Sequence, residues 1–296
     1  MSNNFQDGWL QLDGMRFHYT EWGSRAAPPL LMLHGLNVQC HTWDPFARVL
    51  ADDYYVICMD LRGHGDSDWS RAGYRVQSFA RDVHNFIDAL GVGPVHLVGH
   101  SNGVRVGIAV AGERPEAVRS LALSDAGPAN SPSGATAMRD FIQATTNLRG
   151  FRNESEAREF YLGYHPEWQP EFIDLHVKYQ LRTNWAGKLV PKADPDLQWI
   201  TGSISLPDVK YLWKMAERLV MPTQLMVGRT SNVLDEEVVK KMLETMPNAK
   251  VAWFDAGHYF LREKPDEFLE VDTMVPCAQA LALSVIRLRE GVLPPG

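Results

Sequence analysis

Short apolar runs alternate along this chain with stretches whose apolar residues recur every three or four positions. Leu30-Leu31-Met32-Leu33, Tyr55-Val56-Ile57-Cys58-Met59, Val95-His96-Leu97-Val98 and Ser120-Leu121-Ala122-Leu123 belong to the first kind. Runs of four to six apolar residues suit strands buried on both faces of a parallel sheet. Val76, Phe79, Ala80, Val83, Phe86, Ile87 and Leu90 belong to the second kind and predict a helix from Val76 to Leu90 with one buried face. Further helices are expected from about Trp43 to Leu50 and from Val104 to Ala111. Before them, Trp9 to Trp22 reads as two strands around the turn signal Asp13-Gly14, an edge hairpin. Strand, helix, strand, helix, strand is the signature of a doubly wound sheet.

The alternation stops near Ala129. From there to Arg218 helix-like stretches carry interleaved aromatics, among them Phe160, Tyr161, Trp168, Phe172, Tyr179 and Trp199. The sheet pattern returns at Gln224-Leu225-Met226-Val227 and Lys250 to Phe254, with a helix from about Glu236 to Met246 between them and a last helix from about Val271 to Arg289. The expected organisation is an α/β core formed by 1–128 and 219–296, with 129–218 inserted as a helical cap.

Composition narrows the function classes. The chain has 296 residues, 45% of them apolar, enough for one large core. Its net charge is −7 and no Lys/Arg run could track a phosphate backbone, so nucleic acid is not an expected partner. Met1 to Leu30 lacks a basic start with an apolar core, and no stretch reaches 18 apolar residues, so neither secretion nor membrane insertion is expected. Cys40, Cys58 and Cys277 lack Cys-x-x-Cys spacing, which fits a reducing cytoplasm and neither a disulfide framework nor a zinc site. No GxGxxG, P-loop or metal-ligand spacing occurs, so no cofactor is expected; the expected partner is a small-molecule substrate, and the oligomeric state is left open.

The chemistry lies in Gly99-His100-Ser101-Asn102-Gly103, which follows one expected strand and precedes one expected helix. A serine on so sharp a strand-to-helix turn needs small residues two before and two after it, and the helix N-terminus favours a developing alkoxide. With three further motifs in order, the chain resembles the α/β-hydrolase family from about Trp9 to Phe268. They are His34-Gly35-Leu36-Asn37, Asp60-Leu61-Arg62-Gly63-His64-Gly65-Asp66-Ser67 and Gly257-His258. The resemblance implies Ser101 as nucleophile, His258 as general base, and the backbone N–H groups of Leu36 and Asn102 as the oxyanion hole. The Asp60 to Ser67 segment resembles the family's structural turn; within it His64 reads as a hydrogen-bonded structural residue rather than a catalyst, and His100 as a residue packed under the elbow.

The third triad member departs from the family's commonest pattern. Most relatives keep an Asp three residues after a Gly at the end of the strand before last, and here Gly228-Arg229-Thr230-Ser231 puts Ser231 there. Two carboxylates remain. Asp235 precedes Glu236-Glu237-Val238 and suits a helix N-cap. Asp125 ends the strand after the nucleophile helix, where some subfamilies, including 2-(acetamidomethylene)succinate hydrolase-type enzymes, keep their acid; it is the favoured candidate.

A Ser-His-Asp set implies acyl transfer to water, with an ester, lactone, thioester or amide as substrate. A serine rather than an Asp at the elbow argues against the haloalkane dehalogenase and epoxide hydrolase branches. A C–C bond hydrolase of ring-cleavage products, a cofactor-free dioxygenase and a non-enzymatic ligand receptor remain as alternatives. Arg149, Arg152, Arg158 and Arg182 are candidates for binding a substrate carboxylate or, equally, for a solvated surface.

Overall fold

The computed structural model describes residues 5–130, 136, 149–197 and 206–269. The two strands around Asp13-Gly14 are β1 (Gln6–Leu12) and β2 (Met15–Trp22), joined by a turn whose central residues both have positive φ, 47° and 79°. That backbone matches the twist of a two-residue hairpin and explains the Asp-Gly pair. The buried runs become β3 (Pro29–Leu33), β4 (Tyr55–Met59), β5 (Val95–His100), β6 (Val118–Ser124), β9 (Thr223–Gly228) and β10 (Ala249–Phe254). They form one sheet in the order β1-β2-β4-β3-β5-β6-β9-β10, antiparallel through β1, β2 and β4 and parallel from β4 onward.

Alternate residues of the parallel strands face opposite layers. Leu31, Leu33, Leu97, Leu121, Leu123, Leu225 and Val227 pack with one side, Leu30, Met32, Val56, Val98, Ala122 and Met226 with the other. The first layer holds α2 (Val76–Leu90), α3 (Asn102–Glu113), α6 (Leu206–Ala216) and α7 (Glu236–Thr245); the second holds α1 (Asp44–Leu50). Gly91, with φ 64°, closes α2 because only a left-handed residue lets its N–H turn back onto the last carbonyls.

Between β6 and β9 the described residues form α4 (Glu154–Tyr164), α5 (Pro170–Gln180) and a small antiparallel pair, β7 (Leu181–Thr183) with β8 (Leu189–Pro191). The hairpin is absent from the sequence reading, because three-residue strands are too short to show a periodicity. Helix α6, which that reading included in the insertion, packs on α3: Met215 lies so near Gly112 that a Cβ there would meet it at 2.6 Å. Two short helices follow β10, α8 (Phe260–Glu263) and α9 (Pro265–Leu269). The expected helix over Val271 to Arg289, like Cys277, lies outside the described residues. No helix among the described residues is long and apolar enough to cross a membrane.

Of the ten histidines, seven (His34, His64, His84, His96, His100, His165 and His176) are held below their ordinary value, with burial the leading cause in each. Below about pH 6.5, the ordinary histidine value, the unfolded chain therefore binds more protons than the folded one, and stability falls as pH falls. His18 runs the other way: burial opposes its charge, but its bonds to Asp60 and Asp7 raise it, so its contribution is lost as pH rises. Seven groups outweigh one. Denaturant unfolding from pH 7 to 4.5 is expected to show stability dropping throughout, by about 1.4 kcal/mol per pH unit for each excess proton taken up; a flat profile would contradict neutral burial of these rings.

Candidate active site

All the chemistry-bearing loops leave the sheet at the carboxyl ends of neighbouring strands. In register, Leu33 pairs with Gly99, His100 with Ser124, Ser124 with Met226 and Gly228 with Phe254, so β3, β5, β6, β9 and β10 end at one edge. Such an edge is where an open α/β sheet forms its crevice.

Ser101 follows β5 with φ 54° and ψ −115°, a conformation rarely adopted by a side-chain-bearing residue. Its N–H donates to Ser124 O at 2.9 Å, extending the β5–β6 ladder through the turn. The flanking glycines are demanded by contact: a Cβ on Gly99 would stand 2.4 Å from Gly103 O, and one on Gly103 would stand 2.2 Å from Leu33 O. The elbow is thus clamped between helix α3 and the end of β3. As the first residue of α3, Asn102 has an N–H without an intrahelical acceptor. Leu36 lies in the turn after His34-Gly35, which crosses the elbow so closely that a Cβ on Gly35 would be 3.1 Å from Ser101 Cβ.

His258 follows β10. Its Nδ1 donates to Asp125 Oδ2 at 2.7 Å, which leaves Nε2 as acceptor for the Ser101 hydroxyl at 3.0 Å. Both partners have under 6% of their surface exposed. Asp125 is wholly buried, again with φ 54°, and its carboxylate takes three donors: His258, the Gly228 N–H at 2.8 Å and the Ser231 hydroxyl at 2.5 Å. Burying a carboxylate costs several kcal/mol, and hydrogen bonds to a charged acceptor contribute about 1.5–3 kcal/mol each, so the three donors together offset that cost.

Geometry therefore brings Ser101, His258 and Asp125 together and leaves Asp235 aside. Asp235 caps α7, accepting from Val238 N at 2.9 Å. Ser231 has a use the sequence did not suggest: its hydroxyl donates a hydrogen bond to the Asp125 carboxylate. The strand ends meet because Gly228 has no side chain; a Cβ there would sit 2.5 Å from Gly257 O.

A supporting layer lies beneath. Nε2 of His100 donates to the His258 carbonyl at 3.1 Å, tying the elbow to the histidine loop; burial foremost and the neighbouring His258 hold it uncharged. Nδ1 of His34 donates to Gly35 O at 2.7 Å, and its Nε2 accepts from Leu61 N at 3.0 Å. His64 donates to Arg62 O at 2.9 Å and is pulled by burial down to about 3, a structural residue of the Asp60–Ser67 turn. Asp60 accepts from His18, Cys40 N–H and Asp66 N–H, which pins the loop after Leu36 to that turn.

His18, Cys40 and Asp60 bring possible metal-ligand atoms within 4.8 Å of one another. Those atoms are committed elsewhere: Asp60 to the donors just named, His18 to Asp60 and to Asp7 at 2.9 Å, while burial drives the Cys40 thiol well up. The donor chemistry is that of a hydrogen-bond network.

The four arginines considered for a substrate carboxylate sit on the surface. Arg149 is exposed, Arg152 pairs with Glu156, Arg158 with Asp174, and Arg182 lies 5.3 Å over the Trp69 ring. Sequence reading missed Arg262, which is 2% exposed between the aromatic rings next to His258. In Phe-Leu-Arg-Glu-Lys the arginine looks like part of a solvated charge run, and no local signal marks it as buried.

Comparison with known proteins places the fold in a family. A model of the alpha/beta hydrolase fold family matches residues 28–265. The chain is 29% identical over 262 residues to a 3-hydroxybutyrate-oligomer hydrolase of Cupriavidus necator, covering 82% of this chain and 87% of that one. It is 28% identical to an N-formylmaleamate deformylase of Pseudomonas putida, covering 90% and 95%. The solved structure of an E-2-(acetamidomethylene)succinate hydrolase superposes with a TM-score of 0.81 at 23% identity, over 90% of this chain and 97% of that one.

If Asp125 orients His258, Asp125→Asn is expected to lower kcat about 10³- to 10⁴-fold with the fold retained, through loss of the histidine tautomer. Asp235→Ala is expected to cost about 1 kcal/mol of stability through the lost cap, with turnover kept. Steady-state rates beside thermal melts separate the two; similar mild kinetic losses from both would refute the assignment.

Proposed function

The chain belongs to the alpha/beta hydrolase fold family, and we propose that within it the protein is a serine hydrolase cleaving a small carboxylic ester, lactone or amide through an acyl-enzyme intermediate. The observation that carries this reading is the unbroken chain of hydrogen bonds from Ser101 Oγ through both nitrogens of His258 to Asp125, at 3.0 and 2.7 Å.

Ser101 Oγ attacks the acyl carbon while its proton passes to His258 Nε2. The imidazolium so formed faces the Asp125 carboxylate, which holds the ring in register and offsets its charge. Negative charge moves to the former carbonyl oxygen, which the N–H groups of Leu36 and Asn102 receive; each such donor supplies a few kcal/mol of transition-state stabilisation. Collapse breaks the bond to the leaving alkoxide or amine, which takes the proton from His258 Nε2. A water then gives its proton to the same nitrogen, attacks the acyl carbon, and releases the acid with Ser101 restored.

Helices α4 and α5 with the β7–β8 hairpin serve as a cap over this edge. The Trp168 ring lies 5.2 Å from that of Tyr259, the residue after His258, and Gln169 N–H bonds to Arg262 O at 3.0 Å. Relatives named for a 3-hydroxybutyrate oligomer and for N-formylmaleamate support a small carboxylic acyl compound as substrate class.

Intact mass after incubation with a fluorophosphonate is expected to show one adduct, located on Ser101 by peptide mapping and absent from Ser101→Ala. The same variant is expected to lose about 10³-fold or more in p-nitrophenyl ester turnover. Oxygen consumption that survives Ser101→Ala would instead reveal a cofactor-free dioxygenase.

A further inference from the structure

Arg262 is buried at the junction of cap and core and has no carboxylate within ion-pair distance among the described residues. Its Nε and Nη2 both donate to one neutral acceptor, the Thr42 hydroxyl, at 3.2 and 2.9 Å, and its Nη1 has no hydrogen-bond partner. The nearest acidic residues in sequence and space are committed elsewhere: Glu263 accepts from Gly257 N–H and Glu167 from His165. Other buried arginines are provided for. Arg62 is held by both oxygens of Asp82, and Arg105 donates to Gly127 O and to Asn130.

A buried cation without an anion is costly unless something else offsets it. Aromatic faces do part of this: the guanidinium carbon stands 4.1 Å from the Trp168 ring centre and 5.2 Å from that of Tyr259. Burial brings the group down to about 10, so it remains charged at neutral pH. Its surroundings point to a ligand. Trp168 Nε1 and both polar atoms of the Gln180 side chain also lack partners, and these two residues line one cavity of about 10 Å³ together with Asn37, beside the proposed oxyanion loop. That volume admits one water-sized atom, so a bound group must widen it. Toward the catalytic end, the Tyr259 ring is 4.9 Å from that of His258.

We propose that Arg262 is the anchor for a carboxylate carried by the acyl part of the substrate, so that the enzyme takes half-esters or half-amides of small dicarboxylic acids. The inference rests on the serine-hydrolase reading and names the substrate class of that same site. The planar guanidinium offers the free Nη1 with Nη2 as a fork for two carboxylate oxygens, replacing the neutral Thr42 acceptor by a charged one.

The test compares p-nitrophenyl hemiesters of succinic and adipic acids with their neutral methyl-ketone counterparts, the 4-oxopentanoate and 6-oxoheptanoate esters, each corrected for the enzyme-free rate. Wild-type protein is expected to favour at least one hemiester by about tenfold or more in kcat/KM, and Arg262→Gln to collapse that ratio; Arg262→Lys should retain part of it. Equal preference in the wild type, or a ratio unchanged in folded Arg262→Gln, would overturn the proposal. If Arg262→Gln does not fold, binding decides on the Ser101→Ala protein. Succinate or adipate is then expected to raise the melting temperature where the matching diamide does not, and identical shifts overturn the anchor. A failed nucleophile reading looks different: fluorophosphonate leaves Ser101 unmodified and neither ester class turns over, while the melting comparison still reports on Arg262.

Discussion

Everything at the carboxyl edge of the sheet depends on satisfying one buried carboxylate with hydrogen bonds. Asp125 is fully removed from water, and its cost is met by three donors drawn from two loops: the Gly228 amide at the end of β9 with the Ser231 hydroxyl in the turn beyond it, and His258 after β10. Remove any of these and the charge is underpaired in a low-dielectric site, where such a deficit is felt most. The bonds therefore do two things at once: they stabilise the charge, and they bind the ends of β6, β9 and β10 into a single rigid constellation.

Rigidity has a second source in the backbone. Ser101 and Asp125 both adopt φ near 54°, each directly after a strand, and each is held there by a main-chain bond to a neighbouring strand: Ser101 N–H to Ser124 O, Asp125 N–H to Met226 O. Local strain of this kind persists only where the surroundings over-determine it. Here they do, since Gly99, Gly103 and Gly228 permit backbone approaches that a single methyl group would block. The neutral imidazoles of His34 and His100 complete the support, joining the loop after β3, the elbow and the histidine loop without adding charge near the proposed nucleophile.

Polar groups at the cap junction follow a different logic. The Asp125 carboxylate takes three donors, whereas Arg262, Trp168 and Gln180 present buried polar atoms without a hydrogen-bond partner among the described residues. The arginines visible in the sequence differ from Arg262, because those with carboxylate neighbours are already paired and all stand at the surface.

The sequence by itself determined the doubly wound sheet and the order of its main strands and helices, and it marked Ser101 and His258 as candidates, because these are written locally: buried strands read as continuous apolar runs, α2 as a three-and-four spacing, and the elbow as glycines at fixed offsets from Ser101. It also narrowed the acid to Asp125 or Asp235 through the serine at position 231. Only the tertiary structure sets them apart: Asp235 caps α7, while Asp125 hydrogen-bonds His258 across 133 residues of chain. The hydrogen bond that Ser231 gives to that acid, the packing of α6 on α3 and the burial of Arg262 were likewise beyond the sequence. Each depends on which residues distant loops bring within about 3–5 Å of one another, and neither composition nor periodicity carries that distance.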